Sequence, residues 1–366
     1  MQIGIDASNI NDGGGITHLS QILNNFDFKK SKCTGIVVWG NKKSLDKIKK
    51  TKKIKKININ KKFSNILMRI FWQIFVFEKE LIRLNCKKAF ILGGISFLNK
   101  LPSIIIMQNV LPFEQVILNK YSFLFRIKCM LQKLLFLYSI KKAEKVIFLS
   151  KNSKNIIMKH VIQKNIKYKI ISHGVIREKF STRNFIFKKQ IKLLCVSKID
   201  FYKNQLIILK ALKFLLKEGY NLELNLVGAN YKPALNSLKN YIFEHQLEKY
   251  VKIINEIDFN KIKKKYQNAN IHIAPSFCES FGITIIESGI NSLPLICSNI
   301  KIFREITNTN SLFFNPKSEK DLVNKIKELI HNNLIRKKKV KSFYNFIIEN
   351  YSWKKVANET MDFILK

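Results

Sequence analysis

The sequence has few acidic residues for its length. It contains 25 Asp and Glu against 66 Lys and Arg in 366 residues, which gives a net charge of +41. A field of this sign attracts anions such as nucleic acid, anionic lipid headgroups or phosphorylated substrates. A genome rich in A and T would also produce abundant Lys, Ile and Asn without any such partner. The charge by itself leaves both explanations open.

The sequence also lacks any cysteine pattern. Its six cysteines form no CxxC pair and no cluster with histidine, so neither a zinc site nor a disulfide framework is indicated. Several lie in apolar runs such as LLCVS and LPLICS, where cysteine acts as a small buried hydrophobe. We therefore expect a reducing, cytoplasmic compartment.

Long hydrophobic runs are missing as well. A membrane-spanning helix needs about 18 or more apolar residues, and the best candidates are interrupted by Arg69 and by Arg126, Lys128 and Lys133. The first residues, MQIGIDASN, lack the basic-then-apolar pattern of a signal peptide and are typical of a first strand. The sequence therefore predicts neither a spanning segment nor a secretory leader.

Short apolar runs of strand length recur along the chain instead, in two series. They are near-continuously hydrophobic, as parallel strands buried on both faces are, and stretches with helical spacing separate most of them. Alternation of this kind predicts an α/β architecture with parallel sheets and right-handed crossovers. The runs are IGI (3–5), GIVVW (35–39), AFIL (89–92), SIIIMQ (103–108), KVIFLS (145–150) and YKIIS (168–172), then IKLLCVS (191–197), LELNLVG (222–228), VKII (251–254), IHIAPS (271–276) and LPLICS (293–298).

The chain is longer than the size at which one hydrophobic core usually stops growing, so two domains are expected. The polar, basic stretch 177–190 separates the two series of strands. We predict two Rossmann-like, doubly wound domains facing across a cleft, over residues 1–180 and 181–350. Residues 351–366 are predicted to form a C-terminal helix that packs back toward the first domain.

Three glycines follow the first strand, at positions 13–15, and an apolar-periodic helix is expected to begin near Ile16. Consecutive glycines let backbone amides approach a ligand, and a helix N-terminus adds the positive end of its dipole. The stretch matches neither the dinucleotide GxGxxG pattern nor a Walker loop. A phosphate-binding loop and an ordinary surface loop both remain open.

A second candidate is VSKIDFYKNQ, residues 196–205, which leaves a strand and enters a helix. Lys198 and Lys203 follow the carboxyl end of that strand, where open α/β sheets bind ligands. Two ammonium groups there could neutralise a diphosphate. In a chain so rich in lysine they could equally be solvated surface charges.

The third candidate is ESFGITIIESG, residues 279–289. A helix is predicted to start near Phe281 and Gly282, which puts Glu279 before the helix and Glu287 about one and a half turns inside it. The first amides of that helix could hold a phosphate, and Glu287 could accept hydrogen bonds from sugar hydroxyls. The alternative is that Glu279 only complements the helix dipole.

Together these stretches resemble the retaining glycosyltransferases of the GT-B fold, family four. PSFCESFGITIIESGINSLPLICS is similar to the family's signature of two glutamates separated by seven residues, with Phe-Gly after the first. VSKIDFYKNQ resembles its basic element, GGGITH its glycine loop, KIISHGVIREKF the segment closing the first domain, and YSWKKVA its C-terminal helix. The five matches keep their order over nearly the whole chain.

The resemblance implies a UDP- or GDP-sugar donor bound mainly by the second domain. Lys198 and Lys203 would hold the diphosphate, Glu279 and the amides of Phe281, Gly282 and Ile283 the donor sugar and phosphate, and Glu287 the ribose. Gly14 and Gly15 would approach donor and acceptor from the first domain. Of these residues, Glu279, Lys198 and Lys203 would be the catalytic set. The sequence has no DxD motif, so we expect no metal and no other cofactor.

The sequence departs from the family at three places. Lys198 stands where the family has Arg and loses the bidentate fork. Ser292 replaces a Gly, which costs on the order of 1 kcal/mol if the backbone there is left-handed. Gln108 and Asn109 stand where many members carry a His near the sugar. His18 and His173 are alternative candidates for that role, but a lone His is more often structural.

Basic and aromatic residues interleave in the first domain, over 65–83 and 120–142. Amphipathic helices of this composition can lie on an anionic membrane surface, and they can equally be core-facing helices with lysines on one side. A lipid-linked acceptor at the inner face of the cell membrane would suit the first alternative.

The predicted function is retaining transfer of a hexose to a glycan acceptor, lipid-linked, in the synthesis of O-antigen, capsule or lipopolysaccharide. A GT-B-like sugar-nucleotide epimerase is the rival enzyme class, for which no clear set of acid and base residues is present. A basic nucleic-acid-binding protein is a third hypothesis, and no helix-turn-helix, zinc finger or aromatic RNA-binding strand motif supports it.

Overall fold

The computed structural model describes residues 1–10, 13–59, 66–162, 165–182, 187, 190–255 and 259–366. The chain divides into two compact units. The first contains 1–113, 122–174 and 351–366, and the second contains 114–121 and 175–350. The main crossing thus follows Gly174, and the short segment 114–121 belongs to the second unit although it interrupts the first.

A seven-stranded parallel sheet forms the first unit, in the order β3-β2-β1-β4-β5-β6-β7. Its strands are β1 (Gln2–Ala7), β2 (Gly35–Gly40), β3 (Ile54–Asn58), β4 (Lys88–Ile91), β5 (Ser103–Met107), β6 (Lys145–Phe148) and β7 (Tyr168–Ile170). Its helices are α1 (Gly13–Asn25), α2 (Lys42–Leu45), α3 (Ile66–Trp72), which continues through a π-helical turn at Gln73–Phe77 into α4 (Glu78–Arg83), then α6 (Phe123–Lys142), α7 (Lys151–Met158) and α15 (Trp353–Leu365); the short α5 (Gln115–Leu118) lies in the segment of the second unit.

A six-stranded parallel sheet forms the second unit, in the order β10-β9-β8-β11-β12-β13. Its strands are β8 (Ile191–Val196), β9 (Leu222–Val227), β10 (Val251–Ile254), β11 (Ile271–Ala274), β12 (Leu295–Ser298) and β13 (Leu312–Phe314). Its remaining helices are α8 (Leu206–Lys217), α9 (Lys232–Glu244), α10 (Phe259–Asn268), α11 (Ile283–Ile290), α12 (Lys301–Thr307), α13 (Glu319–His331) and α14 (Asn333–Asn350).

The α/β class with two parallel sheets is confirmed, and every predicted apolar run contains a strand. The strands β3 and β13 were not predicted. Both lie at an edge of their sheet, where burial is incomplete and a strand can be short or carry lysine. In β3 the sequence IKKIN has two lysines in five residues, so it lacks the continuous apolar run of a central strand.

Each face of the second sheet has its own core. Alternate residues of the central strands, such as Leu193 and Leu224, lie in the larger core with α8, α9 and α13. Leu194, Val196 and Val227 point to the opposite face and pack against Tyr266 of α10. This alternation follows from the two-residue period of a strand.

The glycine stretch differs from the prediction. Helix α1 begins at Gly13, which has φ +52°, so the predicted start near Ile16 is wrong. Gly14 and Gly15 belong to the first turn of this helix and not to a preceding loop. The positive φ of Gly13 suits glycine, because a side chain there would be strained.

Helix α15 packs against α1 in the first unit. The chain passes close to the start of α15 as it leaves this unit, because a Cβ on Gly174 would lie 2.4 Å from the backbone nitrogen of Trp353. Only glycine fits at this crossing without a shift of the backbone.

Candidate functional site

The loop after β8 is held by a buried aspartate. Asp200 is 3% exposed and caps the 3₁₀-helix Phe201–Lys203 by accepting from the amide of Phe201. Its other partners are the hydroxyl of Tyr121, which donates to Oδ1, and the ammonium of Lys198 at 3.1 Å from Oδ2. The side chain of Lys198 is 48% exposed, so it is anchored at the loop yet reaches solvent.

Lys203 and Glu279 form a largely buried ion pair. The Lys203 ammonium donates to Oε1 of Glu279, and each side chain is only 13% exposed. Burial alone would lower the pKa of Lys203, but the charge of Glu279 and the hydrogen bond outweigh it and hold this pKa above its usual value. The hydroxyl of Ser276 also donates to Oε1 of Glu279, at 2.9 Å. The second candidate lysine is therefore a fixed, permanently charged group.

The two residues after Lys203 lock its position. Asn204 has φ +56°, a left-handed conformation that asparagine tolerates better than most residues, and its amide donates to the carbonyls of Pro275 and Pro316. Gln205 donates to the hydroxyl of Ser197 and to the carbonyl of Lys198, both at 2.8 Å. The motif Lys-Asn-Gln thus supplies one charge and two side-chain amides that hold the loop by hydrogen bonds. Only the charge was predicted from the sequence.

The entry of α11 depends on Gly282. The helix starts at Ile283, and Gly282 precedes it with φ +93° and no side-chain cap. A Cβ on Gly282 would lie 3.0 Å from the ring of Phe303. The ring of Phe281 is buried, so at this position only the backbone can serve a ligand. The amides of the first helical turn have no partner within the helix, as at any helix start.

Glu287 has a tyrosine partner. Tyr266 on α10 is buried and donates its hydroxyl to Oε2 of Glu287 at 2.9 Å. Burial raises the pKa of Glu287 to about 7, although the hydrogen bond from Tyr266 acts in the opposite direction. The carboxyl therefore changes charge near neutral pH. Tyr266 was missed because its only local signal is a place on the apolar side of a helix.

Some of the predicted site residues are therefore in contact with one another and others are not. Lys203 and Glu279 are in contact because β8 and β11 are neighbours in the sheet, so the loops after these parallel strands meet at one edge. Lys198 lies in the same loop as Lys203. Glu287 lies further inside α11, and its recorded side-chain partner in the described chain is Tyr266.

The predicted residues of the first domain lie in the first unit. Gly14 is exposed and Gly15 partly exposed at the start of α1. The side chain of Gln108 follows β5, and its buried nitrogen has no hydrogen-bond partner in the described part of the chain. Asn109 is used locally, accepting from the amide of Leu111.

The two alternative histidines are buried together. Nδ1 of His18 lies 2.9 Å from Nδ1 of His173, and both rings pack against Trp353. Burial lowers the pKa of both, to about 4 for His173. A neutral, enclosed pair of this kind links α1 to the end of the first unit, which is a structural role.

Ser292 has the left-handed backbone that its replacement of glycine suggested, with φ +53°. Its hydroxyl accepts a hydrogen bond from the amide of Ser181 at 3.1 Å. The serine therefore gains a contact that glycine cannot make, which offsets part of the backbone strain.

The described ranges contain neither a cluster of metal ligands nor a membrane-spanning helix. No three His, Cys, Asp or Glu side chains there gather closely enough to hold a metal ion. Likewise, none of the described helices combines the length and the apolarity that crossing a bilayer requires.

Solved structures of similar fold cover the whole chain. The sucrose-phosphate synthase from Thermosynechococcus elongatus superimposes with a TM-score of 0.81 at 14% identity, over 99% of this chain and 98% of that one. The Anabaena protein HepE in complex with UDP and glucose gives a TM-score of 0.75 at 16% identity, over 99% of both chains. The two-unit α/β fold is the GT-B fold.

Curated relatives point to polysaccharide synthesis. The O-antigen chain mannosyltransferase RfbU of Salmonella typhimurium is 28% identical over 52% of this chain and 52% of its own length. The capsular polysaccharide biosynthesis glycosyltransferase CapM of Staphylococcus aureus is 24% identical over 74% of this chain and 73% of its own. The chain spans about half the length of RfbU (52%) and less than half the length of the Staphylococcus aureus protein CapJ (42%).

The match to a family model covers most of the second unit, including the lysine loop, both glutamates and Gly282. Residues 176–349 match the model described as glycosyl transferases group 1. This match confirms the resemblance seen in the motifs at the level of the glycosyl transferases group 1.

Proposed function

We propose that the protein is a retaining glycosyltransferase that moves a hexose from a nucleotide-diphosphate sugar to a glycan acceptor in the synthesis of a surface polysaccharide. The family match and the names of RfbU and CapM support this class of reaction. The complex of HepE with UDP and glucose, a protein of similar fold, supports a nucleotide-sugar donor.

The observation that carries the proposal is the buried pair of Lys203 and Glu279 at the carboxyl edge of the second sheet. Buried charges are expensive unless they serve one another or a ligand, and this pair lies at the edge where α/β sheets bind ligands. Lys203 and the half-exposed Lys198 supply two positive charges for a diphosphate. They would stabilise the negative charge that develops on the leaving nucleotide, a contribution that metal ions make in other enzymes.

The remaining residues of the second unit bind different parts of the donor. Glu279 holds the donor sugar while its other partner, Lys203, holds the phosphates. The amides of Phe281, Gly282 and Ile283 approach the phosphate at the positive end of the α11 dipole. Glu287, oriented by Tyr266, accepts hydrogen bonds from the ribose hydroxyls.

In the first unit, Gly14 and Gly15 are the candidate acceptor-side residues, since a glycine backbone in the first turn of α1 allows close approach. Gln108 adds a buried amide that lacks a partner in the described chain. An amide can orient a hydroxyl by hydrogen bonding but cannot act as the base that a histidine provides. The acceptor hydroxyl is therefore positioned by this unit and is not deprotonated by a residue at 108 or 109.

We propose a lipid-linked acceptor because α6 carries an apolar surface. Phe123, Leu124, Met130, Leu131, Leu134 and Tyr138 are 43–77% exposed, while Cys129, Phe136 and Ile140 face the core. The helix is thus apolar on both sides, and it contains five Lys and Arg and no Asp or Glu. Such a surface suits the inner face of an anionic cell membrane.

Binding to vesicles tests this surface. The wild-type protein should float with phosphatidylglycerol–phosphatidylcholine vesicles, and the variant Leu124→Glu/Leu131→Glu should not. The matched control is Phe243→Glu, which changes a 78% exposed apolar residue on α9 and should bind like wild type. Equal binding by all three proteins would refute a membrane role for α6.

The donor is tested with a panel of UDP- and GDP-sugars, measured by thermal stabilisation and by hydrolysis with and without EDTA. We expect stabilisation by one nucleotide class and turnover that EDTA does not abolish. Glu287→Ala should weaken donor binding, and Lys203→Ala should mainly lower turnover. The anomeric configuration of the product, read by NMR, tests retention. Stabilisation by none of UDP, GDP or their sugars would overturn the proposal.

A further inference from the structure

One face of the second sheet changes character along its strands. On β8 and β9, Leu194 and Val227 lie in the smaller core against α10, nearer the carboxyl ends. On the same face, nearer the amino ends, the inward positions are polar: Lys192, Glu223 and Asn225. A sheet face covered by a helix is normally apolar along its length. Polar residues at these positions therefore call for a specific explanation.

These polar residues line a cavity under α10. It has a volume of about 240 Å³, and the strands contribute Lys192, Glu223, Asn225 and Lys252 while α10 contributes Lys264 and Lys265. The register explains the grouping, because Lys192 pairs with Glu223 and Lys252 with Asn225 on adjacent strands. Three neighbouring strands and one helix thus direct polar groups to a single point.

The charges in the cavity do not balance. Both oxygens of Glu223 have partners: Oε1 accepts from the amide of Asn225 at 2.8 Å and Oε2 from the ammonium of Lys252 at 3.1 Å. Lys192, Lys264 and Lys265 form no salt bridge with any residue that the structure describes. One carboxylate against four lysines leaves a net charge of +3 around the cavity.

We propose that this cavity is a second anion site that binds a compact, multiply charged phosphate such as inorganic diphosphate. Three ammonium groups and the amide of Asn225 offer the donors that phosphate oxygens accept. The volume of 240 Å³ equals that of about eight water molecules, which admits a diphosphate and is below the usual size of a site for a larger organic ligand.

The cavity is separate from the candidate donor site. Lys192 is the second residue of β8 and Lys198 follows the other end of that strand, so the two lysines lie about 15–20 Å apart at the usual rise per residue. The second site lies at the amino edge of the sheet and leaves the carboxyl edge free. Diphosphate binding there does not depend on the activity proposed above.

Calorimetric titration of the full chain with sodium pyrophosphate tests the proposal. The variant Lys192→Gln/Lys265→Gln keeps polar side chains that are one atom shorter and removes two charges from the cavity, and its affinity should fall about tenfold or more. The control Lys217→Gln/Lys239→Gln removes two charges from exposed positions on α8 and α9 and should change affinity by less than about threefold. Thermal unfolding without ligand checks that each variant is folded.

Lys198→Gln distinguishes the two edges of the sheet: it should weaken any diphosphate bound at the carboxyl edge and leave binding in the cavity intact. A loss in Lys198→Gln with retention in the cavity variant would place the diphosphate at the carboxyl edge and overturn the proposal. Equal weakening in all variants would show attraction to the net charge only, which also overturns it. Absence of binding by the wild-type protein would do the same.

Discussion

The buried pair of Lys203 and Glu279 permits a quantitative test that requires no substrate. Lys203→Met removes the cation and keeps the length of the side chain, so Glu279 is left with the hydroxyl of Ser276 as its remaining recorded side-chain partner. Removal of one partner of a buried ion pair costs about 3–5 kcal/mol, because the other charge stays buried without compensation. Both side chains are 13% exposed, so the pair is largely buried and the loss should not exceed this range.

The double variant Lys203→Met/Glu279→Gln removes both charges. It should recover most of the lost stability, because replacement of a whole buried pair is often neutral. Lys210→Met is the matched control: it breaks a pair with Glu319 whose side chains are 44% and 56% exposed, and such surface pairs contribute at most about 1 kcal/mol.

The distribution of tryptophan makes the assay specific for the second unit. The three tryptophans, at 39, 72 and 353, all lie in the first unit. Thermal unfolding followed by far-UV circular dichroism reports both units, whereas tryptophan fluorescence reports the first. Lys203→Met should lower the transition of the second unit by about 6–20 °C, since 1 kcal/mol corresponds to about 2–4 °C for 150–250 residues. The fluorescence transition should change much less.

Two results would refute this reasoning. If Lys203→Met shifts the transition no more than Lys210→Met, Glu279 is not desolvated enough for the loss of Lys203 to destabilise the fold. If the double variant is as unstable as the single one, the loss comes from packing of the Lys203 side chain and not from an uncompensated Glu279.

Three further predictions concern the second unit. Because the pKa of Glu287 is raised to about 7, the folded state keeps a proton that the unfolded state loses near pH 4.5. The free energy of unfolding should therefore fall by at most about 3 kcal/mol as the pH rises from 4.5 to 7. Urea titrations of Glu287→Gln should lack this dependence on pH. Gly282→Ala should lower the free energy of unfolding by more than about 2 kcal/mol, because φ is +93° and the new Cβ would contact Phe303. Gly219→Ala, at φ +86° with nothing within 4 Å of its Cβ, is the control that shows the backbone strain alone. Equal urea midpoints of the two variants would exclude a cost from the contact with Phe303. Ser292→Ala should lower the free energy of unfolding by about 1 kcal/mol, because it loses a hydrogen bond. Ser292→Gly should be more stable than the alanine variant, because glycine relieves the strain of the left-handed backbone. The reverse order of urea midpoints would contradict this account.

Local patterns were sufficient for the fold class. A run such as IKLLCVS is apolar at five of its seven positions. Its short length and its place between helical stretches favour a strand covered on both faces, so the parallel sheets could be predicted strand by strand. The edge strands β3 and β13 could not be predicted in this way. They have a neighbouring strand on one side only, and the sequence is therefore free to place lysines or very short segments there.

The candidate site was predictable as a set of residue types and not as a set of contacts. The spacing around Gly282 indicated a glutamate before the helix and a second one inside it, and the family resemblance assigned them to a donor. The spacing did not show that Glu279 pairs with Lys203, because the two are 76 positions apart in the chain and meet only through the order of β8 and β11 in the sheet.

The sequence by itself therefore determined which segments become strands and helices and which residue types stand at the ends of the strands. The tertiary structure decided which side chains share an environment. Burial and the hydrogen bond from Tyr266 set the pKa of Glu287, and the pairing of β8 with β9 and β10 gathers lysines at the amino edge. The physical reason is that periodicity is a local property of the chain, whereas charge pairing and desolvation depend on distances in space.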